Sequence, residues 1–195
     1  PTAATLHAMA VSGFNAWAPT VIARGWGVPL AGIGRTLGPL MMLSVMPGLL
    51  LLGLVMDRLS KRGRRAAPLE VALVSMVVAN LATLPLAWVG DLKVAAVFYV
   101  LHTFFASGMA SSAGATMSQV TPSALMGRMT SIFFLVQNLL GLALGPTMVT
   151  LLAHAYGEGP HSLRYGTVTL YCAATGIAVL LYLYTAGRVR RRSFD

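Results

Sequence analysis

Residues 36–65 read TLGPLMMLSVMPGLLLLGLVMDRLSKRGRR: no charge from Thr36 to Met56, then Asp57, then Arg58, Lys61, Arg62, Arg64 and Arg65 crowded into one short connection. A helix needs about 20 apolar residues to cross ~30 Å of hydrocarbon, and the run before Asp57 meets that requirement. With no water to satisfy backbone groups, only helices and closed barrels span a bilayer. Barrel strands are about ten residues long and alternate in polarity, whereas this run is longer and continuously apolar, so it is read as a helix. The pattern recurs along the chain and predicts spans over 3–22, 36–56, 67–89, 94–118, 129–153 and 167–186. The expected fold is an all-α membrane protein of six transmembrane helices.

Composition agrees. Of 195 residues, 56% are hydrophobic and 10% charged, against about 25% charged in soluble domains. So few charges cannot coat a soluble globule. The net charge of +9 does not indicate nucleic acid, because the basic residues lie in short gaps between apolar runs and not on one aqueous face. Cys172, the only cysteine, sits inside an apolar run, which excludes an intrachain disulfide and a thiolate cluster; no cofactor or metal is expected. The chain opens on Pro1, and its first apolar stretch has no preceding basic region. It does not read as a signal peptide, and a segment of a longer protein is expected.

Lys and Arg are retained on the cytoplasmic side of membrane proteins. One end of the predicted bundle collects Arg58, Lys61, Arg62, Arg64, Arg65, Arg128, Arg188, Arg190, Arg191 and Arg192; the other holds Arg24, Arg35, Lys93 and Arg164. Ten against four places both termini in the cytoplasm. Dividing the spans into two sets of three gives units of similar length, and an odd number of spans inverts the second relative to the first, the repeat logic of many secondary transporters. Gly34-Arg35 and Gly127-Arg128 open the second helix of each unit.

The five acidic residues, Asp57, Glu70, Asp91, Glu158 and Asp195, all fall at span ends, in loops or in the tail. A proton carrier would therefore be His7 or His102, or lie upstream of Pro1. His7 and Asn15 are separated by about 80° around their helix and are expected to border one cavity. Gln137 and Asn138 must face protein or water, since an amide in lipid costs a few kcal/mol. Small residues four apart at Gly34 and Gly38, at Gly141 and Gly145, and along Ala106, Ala110, Gly114 and Ser118 with Ser107, Ser111 and Ala115 beside them, predict close helix approach. Pro19, Pro39, Pro47, Pro85 and Pro146 interrupt helical bonding where a neighbour or water must satisfy the freed carbonyl.

Gly53-Leu54-Val55-Met56-Asp57-Arg58, followed by Lys61, Arg62, Arg64 and Arg65, resembles the cytoplasmic loop motif of the major facilitator superfamily, in the copy between its eighth and ninth helices; Ser60 stands where glycine is usual. Pro122 to Gly127-Arg128, then Asn138-Leu139-Leu140-Gly141 and Gly145-Pro146, resembles the loop and eleventh helix of the same superfamily, with Met126 where arginine is often seen. Trp17-Ala18-Pro19 with Arg24 is similar to the seventh helix of bacterial spinster-like members. The resemblance covers essentially the whole chain. It implies the C-terminal half of a twelve-span transporter of the bacterial inner membrane, partnered by an N-terminal six-helix half and working by alternating access. It also implies that Gly53, Asp57, Arg58 and Arg62 form a cytoplasmic gate and that the third and sixth spans are mostly lipid-facing. His7, Asn15, Ser44, His102, Gln137 and Asn138 lie on the helices implied to line the cavity, and Arg35 stands near the outer mouth as an anion-recruiting candidate. The solute implied is a small organic molecule, amphiphilic or anionic, with proton coupling.

Two other readings stand beside transport. A non-transporting scaffold or receptor would use the helices as a platform. An intramembrane serine protease would need Ser111 or Ser112 activated by His154, but Ala110-Ser111-Ser112-Ala113-Gly114 lacks the Gly-x-Ser-x-Gly elbow; no enzymatic activity is expected.

Overall fold

The computed structural model describes residues 2–64, 66–120, 122–159 and 161–192. Arg65 and Asp195 lie outside the described residues, as do the side chains of Ser111, Gly114, Ala115, Ser118, Arg188, Arg190, Arg191 and Arg192.

Six long helices follow one another: α1 (Thr2–Trp26), α2 (Leu30–Lys61), α3 (Ala67–Thr83), α4 (Leu92–Val120), α5 (Met126–Ala155) and α6 (Ser162–Arg192). There is no strand among the described residues. Local chemistry explains the ends. Gly27, Gly63 and Gly157 take positive φ directly past α1, α2 and α5, the left-handed conformation that closes a helix and that glycine adopts without penalty. Gly63 thus supplies the tight turn that the missing glycine at position 60 would have left open. Pro68 enters α3 in its first turn, where its lack of an N–H costs nothing. Asp91 Oδ1 accepts the N–H groups of Lys93 at 2.7 Å and Val94 at 3.1 Å, capping α4. The third span does not run helical to residue 89 as expected. At Leu84–Ala87, around Pro85, it tightens into a 3-10 turn.

Five helices, α2 to α6, are long and apolar enough to cross a membrane, and the chain is an integral membrane protein on that ground. The first helix departs from the expectation of six such spans: α1 has the length, but His7, Ser12, Asn15, Thr20 and Arg24 lower its hydropathy. Of these His7 is enclosed, on the same side as the buried Ala3, Ala10, Phe14 and Ala18, whereas Asn15 and Arg24 are exposed.

The packing is selective. Helix α1 lies against α5 and α6, α4 lies against α2 and α3, and α6 meets both α5 and α3, while α1 and α4 meet mainly through side chains, Phe14 against Tyr99 and His102. Helices α3 and α6 each pack one face within the chain and turn the other outward, with Val74 and Leu81 on α3 and Ile177, Leu180 and Leu183 on α6 exposed. In each, 44% of the most apolar stretch is buried within the chain, against 17% for α2 and for α5. The reason is side-chain size and register: Ala67, Ala72, Ser75, Met76, Ala79, Ala82 and Thr83 form the buried side of α3, and Ala174, Thr175 and Ala178 that of α6.

Candidate binding site

Helix crossings set the geometry. A Cβ on Gly145 would lie 2.6 Å from the Met9 carbonyl oxygen and 2.8 Å from the Gly13 nitrogen, and one on Gly13 would lie 2.8 Å from the Gly145 carbonyl oxygen. One turn earlier, a Cβ on Gly141 would lie 3.1 Å from Ser12 Oγ. The expected close approach at Gly141 and Gly145 is present, and Trp17 Nε1 donates to the Pro146 carbonyl beside it at 3.1 Å. Gly34 and Gly38 behave differently. A Cβ on either meets open space, because the two glycines line a groove with Asn15, Pro19 and Tyr99 and do not bear on a neighbouring helix.

His7, Ser12, Gln137 and Asn138 come together around a cavity of about 150 Å3 between α1, α4 and α5, with Val11, Met109 and Phe133 supplying apolar walls. Both ring nitrogens of His7 are buried without a hydrogen-bond partner, and so is Gln137 Oε1. Asn138 commits its amide nitrogen to the Phe134 carbonyl of its own helix at 2.8 Å. A neutral imidazole offers one donor and one acceptor. The cavity has no charged side chain in its lining, and the unpartnered atoms of His7 and Gln137 are buried beside it.

The other candidates go elsewhere. Asn15 does not share the cavity of His7 as expected; it is exposed and lines the Gly34–Gly38 groove, two helical turns and about 12 Å further along α1. His102 is fully buried, 4.0 Å between ring centres from Phe14 and 4.5 Å from Tyr171, with Nδ1 2.7 Å from Thr83 Oγ1. It lines no cavity named here and serves packing. Ser44 is likewise fully buried; it accepts from Thr103 Oγ1 at 2.6 Å and donates to the Leu40 carbonyl at 2.7 Å, joining α2 to α4. Arg35 is exposed near the start of α2.

At the basic end, Asp57, Arg58 and Arg62 are exposed and Gly53 faces open space. Among the described residues Asp57 makes no ion pair; the one present, Arg64 Nη1 to Glu70 Oε2 at 3.1 Å, ties the connection between α2 and α3 to α3 itself. Ser112 is buried and donates to the Gly108 carbonyl at 2.9 Å, near the basic end of α4. His154 stands in the last turn of α5, about 40 Å along that helix from its start. The pair required by the protease reading is not brought together. Among the described residues no three His, Cys, Asp or Glu side chains are grouped to hold a metal.

Sequence reasoning missed Arg164. Counted only as a loop charge, it is 5% exposed, donates through Nε and Nη2 to the carbonyls of Leu86 and Val89, and lies 4.3 Å from the centre of the Trp26 ring. It thereby fastens α6, the 3-10 turn and the end of α1 at one point. Its position in the first turn of an apolar span, at the level of a tryptophan ending another, was the available signal. Gly48 was also missed: a Cβ there would collide with the Phe104 carbonyl and Ser107 Oγ of α4.

No family model matches the chain, and no curated protein does.

Proposed function

We propose that this chain is the C-terminal six-helix half of a secondary active transporter of the major facilitator kind, moving a small organic solute by alternating access. The observation that carries the reading is a symmetry of packing. Exchange α1 with α4, α2 with α5 and α3 with α6, and the four largest contacts map onto one another, α1 on α5 onto α4 on α2 and α1 on α6 onto α4 on α3, whereas α5 packs on α6 more extensively than its image, α2 on α3. One close crossing obeys the same exchange, while that of Gly166 in α6 on Val149 and Ala153 of α5 has no glycine counterpart in α3. Gly145 of α5 sits under the Met9 carbonyl of α1, and Gly48 of α2 sits under the Phe104 carbonyl of α4, each glycine beside a proline and just past the middle of its helix. This is the arrangement that two inverted three-helix repeats would have.

The poorly covered helices α2 and α5 carry Leu43, Met46 and Leu50, and Leu135, Leu139 and Leu142, outward, faces on which the N-terminal half docks in this reading. The His7–Gln137 cavity contributes hydrogen bonds to the solute. The excess of Lys and Arg at one end orients both termini toward the cytoplasm of a bacterial inner membrane, and Asp57, Arg58 and Arg62 form the cytoplasmic latch with groups of the other half. The test is gradient-driven accumulation of solutes from a metabolite extract by proteoliposomes of the intact gene product. A solute that accumulates, and no longer does with His7→Ala and Gln137→Ala together, is the expected result. Absence of any accumulated solute would favour the scaffold or receptor.

A further inference from the structure

Toward the end opposite the basic connections, a second cavity of about 130 Å3 lies between α1, α2, α4 and α6, on other walls than the His7–Gln137 cavity. Phe14, Ala18, Val21, Ile22 and Trp26, one stripe of α1, form a wall that rises about 18 Å, so the space is long for its volume. Its lining is almost wholly aliphatic and aromatic. The hydroxyls of Thr36 and Thr167 are spent on their own helices, at 3.1 Å to the Gly32 carbonyl and 2.7 Å to the Leu163 carbonyl, and the Tyr99 hydroxyl and Trp26 Nε1 are sealed within the packing.

Arg164, on the same lining, is different. It is 5% exposed, and a buried charge is ordinarily met by an opposite one. Among the described residues no carboxylate pairs with it. The acidic side chains at this end are placed elsewhere: Asp91 caps α4 through Oδ1, and Glu158 lines a separate pocket with Arg24 and His154. Nε and Nη2 donate to the carbonyls of Leu86 and Val89, and the Trp26 ring covers one face of the guanidinium. Of the five N–H groups of an arginine, Nη1 carries two; here they have no partner, and Nη1 is not sealed as the indole nitrogen is. A narrow apolar space thus adjoins a cation that is held in place, lacks a counter-ion and keeps one edge free.

We propose that this cavity binds an unbranched alkyl carboxylate of medium length, its carboxylate accepting from Arg164 Nη1 and its chain lying along α1 between Leu37 and Ala95 toward Phe14. The shape selects a chain over a ring. The missing negative charge selects an acid over a neutral or cationic amphiphile, and guanidinium with carboxylate forms a charge-assisted hydrogen bond. The site is independent of the transport reading, since one bundle contains it and the His7–Gln137 cavity is not involved. Bound there, the acid neutralises Arg164 and braces α1, α2, α4 and α6 at the end where Arg164 fastens them.

The experiment is displacement of radiolabelled octanoate from the intact protein in nanodiscs, with empty nanodiscs as the partition blank. The competitors are acetate, which has the charge without the chain, octanol, which has the chain without the charge, and octyltrimethylammonium, which reverses the charge. Saturable octanoate binding, with acetate and octanol each weaker by about tenfold or more and the ammonium weaker still, is the expected result. Arg164→Gln should bring octanoate down to the level of octanol, and Ala95→Ile, which fills part of the cavity, should bring it down toward acetate. The proposal is overturned if octanoate shows no saturable binding, if acetate competes as well, which would put the free edge of Arg164 outside the cavity, if octanol competes as well, which would make the cavity merely apolar, or if Arg164→Gln binds octanoate unchanged. Should either variant fail to fold, the octanoate-to-acetate and octanoate-to-octanol ratios on the unaltered protein decide the matter alone.

Discussion

The crossing of α1 with α5 and the crossing of α2 with α4 occupy exchangeable places in the bundle, yet they are closed by different chemistry. In the first, glycines face each other from both helices, so Gly13 and Gly145 bring backbone onto backbone and Gly141 extends the contact by a turn. In the second, the glycines meet side chains as well as backbone, Gly48 of α2 against the Phe104 carbonyl and Ser107 Oγ and Gly108 of α4 against the Leu52 side chain, and one turn before Gly48 the Ser44 and Thr103 hydroxyls join the helices at 2.6 Å. Close approach in a membrane needs small residues at the contact, and polar side chains add only modestly to it. A similar approach is thus reached with a different mix of residues, a glycine beside a proline being common to both.

Substitutions at five positions probe the contrast, in descending order of effect. Gly145→Leu should do most damage, because even its first carbon would stand 2.6 Å from the Met9 carbonyl; overpacking of this kind costs about 1–3 kcal/mol or more, and the expected result is loss of the monodisperse species in size-exclusion chromatography. Gly48→Leu should do nearly as much, and a tolerated Gly48→Leu would break the equivalence of the crossings. Arg164→Gln removes charged hydrogen bonds to two carbonyls and should cost about 1.5–3 kcal/mol, seen as a lower thermal midpoint by scanning fluorimetry; Arg164→Lys, which cannot reproduce the forked donation, should recover only part. Ser44→Ala should cost about 0.6 kcal/mol, since Thr103 can turn its proton to the Tyr99 carbonyl 2.9 Å away. Gly38→Ala faces open space and should leave the thermal midpoint unchanged or raise stability by up to about 1 kcal/mol.

Helix number and type were legible in the sequence because bilayer thickness imposes a length on every apolar run, and the runs here are separated by charges and glycines. Helix ends were less so: α6 begins at Ser162 and not near Thr167, since Arg164 is carried inside the span once two backbone carbonyls and a tryptophan face receive it. Of the polar candidates, His7, Gln137 and Asn138 converge on one cavity, whereas His102 and Ser44 are absorbed into packing. Nothing in a one-dimensional pattern separates a polar residue facing a cavity from one facing a neighbour's hydroxyl, because both avoid lipid equally. The glycine spacing misled at Gly34 and Gly38 for a related reason: four-residue spacing makes a smooth face but does not say what covers it.

Coverage gives the second contrast, with α3 and α6 packed along one face within the chain and α2 and α5 largely open. In the transport reading the open pair meets the other half, and the cavity between α1, α4 and α5 is reached by water from each side of the membrane in turn. The most direct measurement is alkylation of Gln137→Cys in a Cys172→Ser background by a membrane-impermeant maleimide, in right-side-out and in inside-out vesicles of the intact protein. Alternating access predicts labelling from both sides, with a cross-link that closes one end abolishing it from that side alone. Labelling confined to one side, or none from either, would contradict the account.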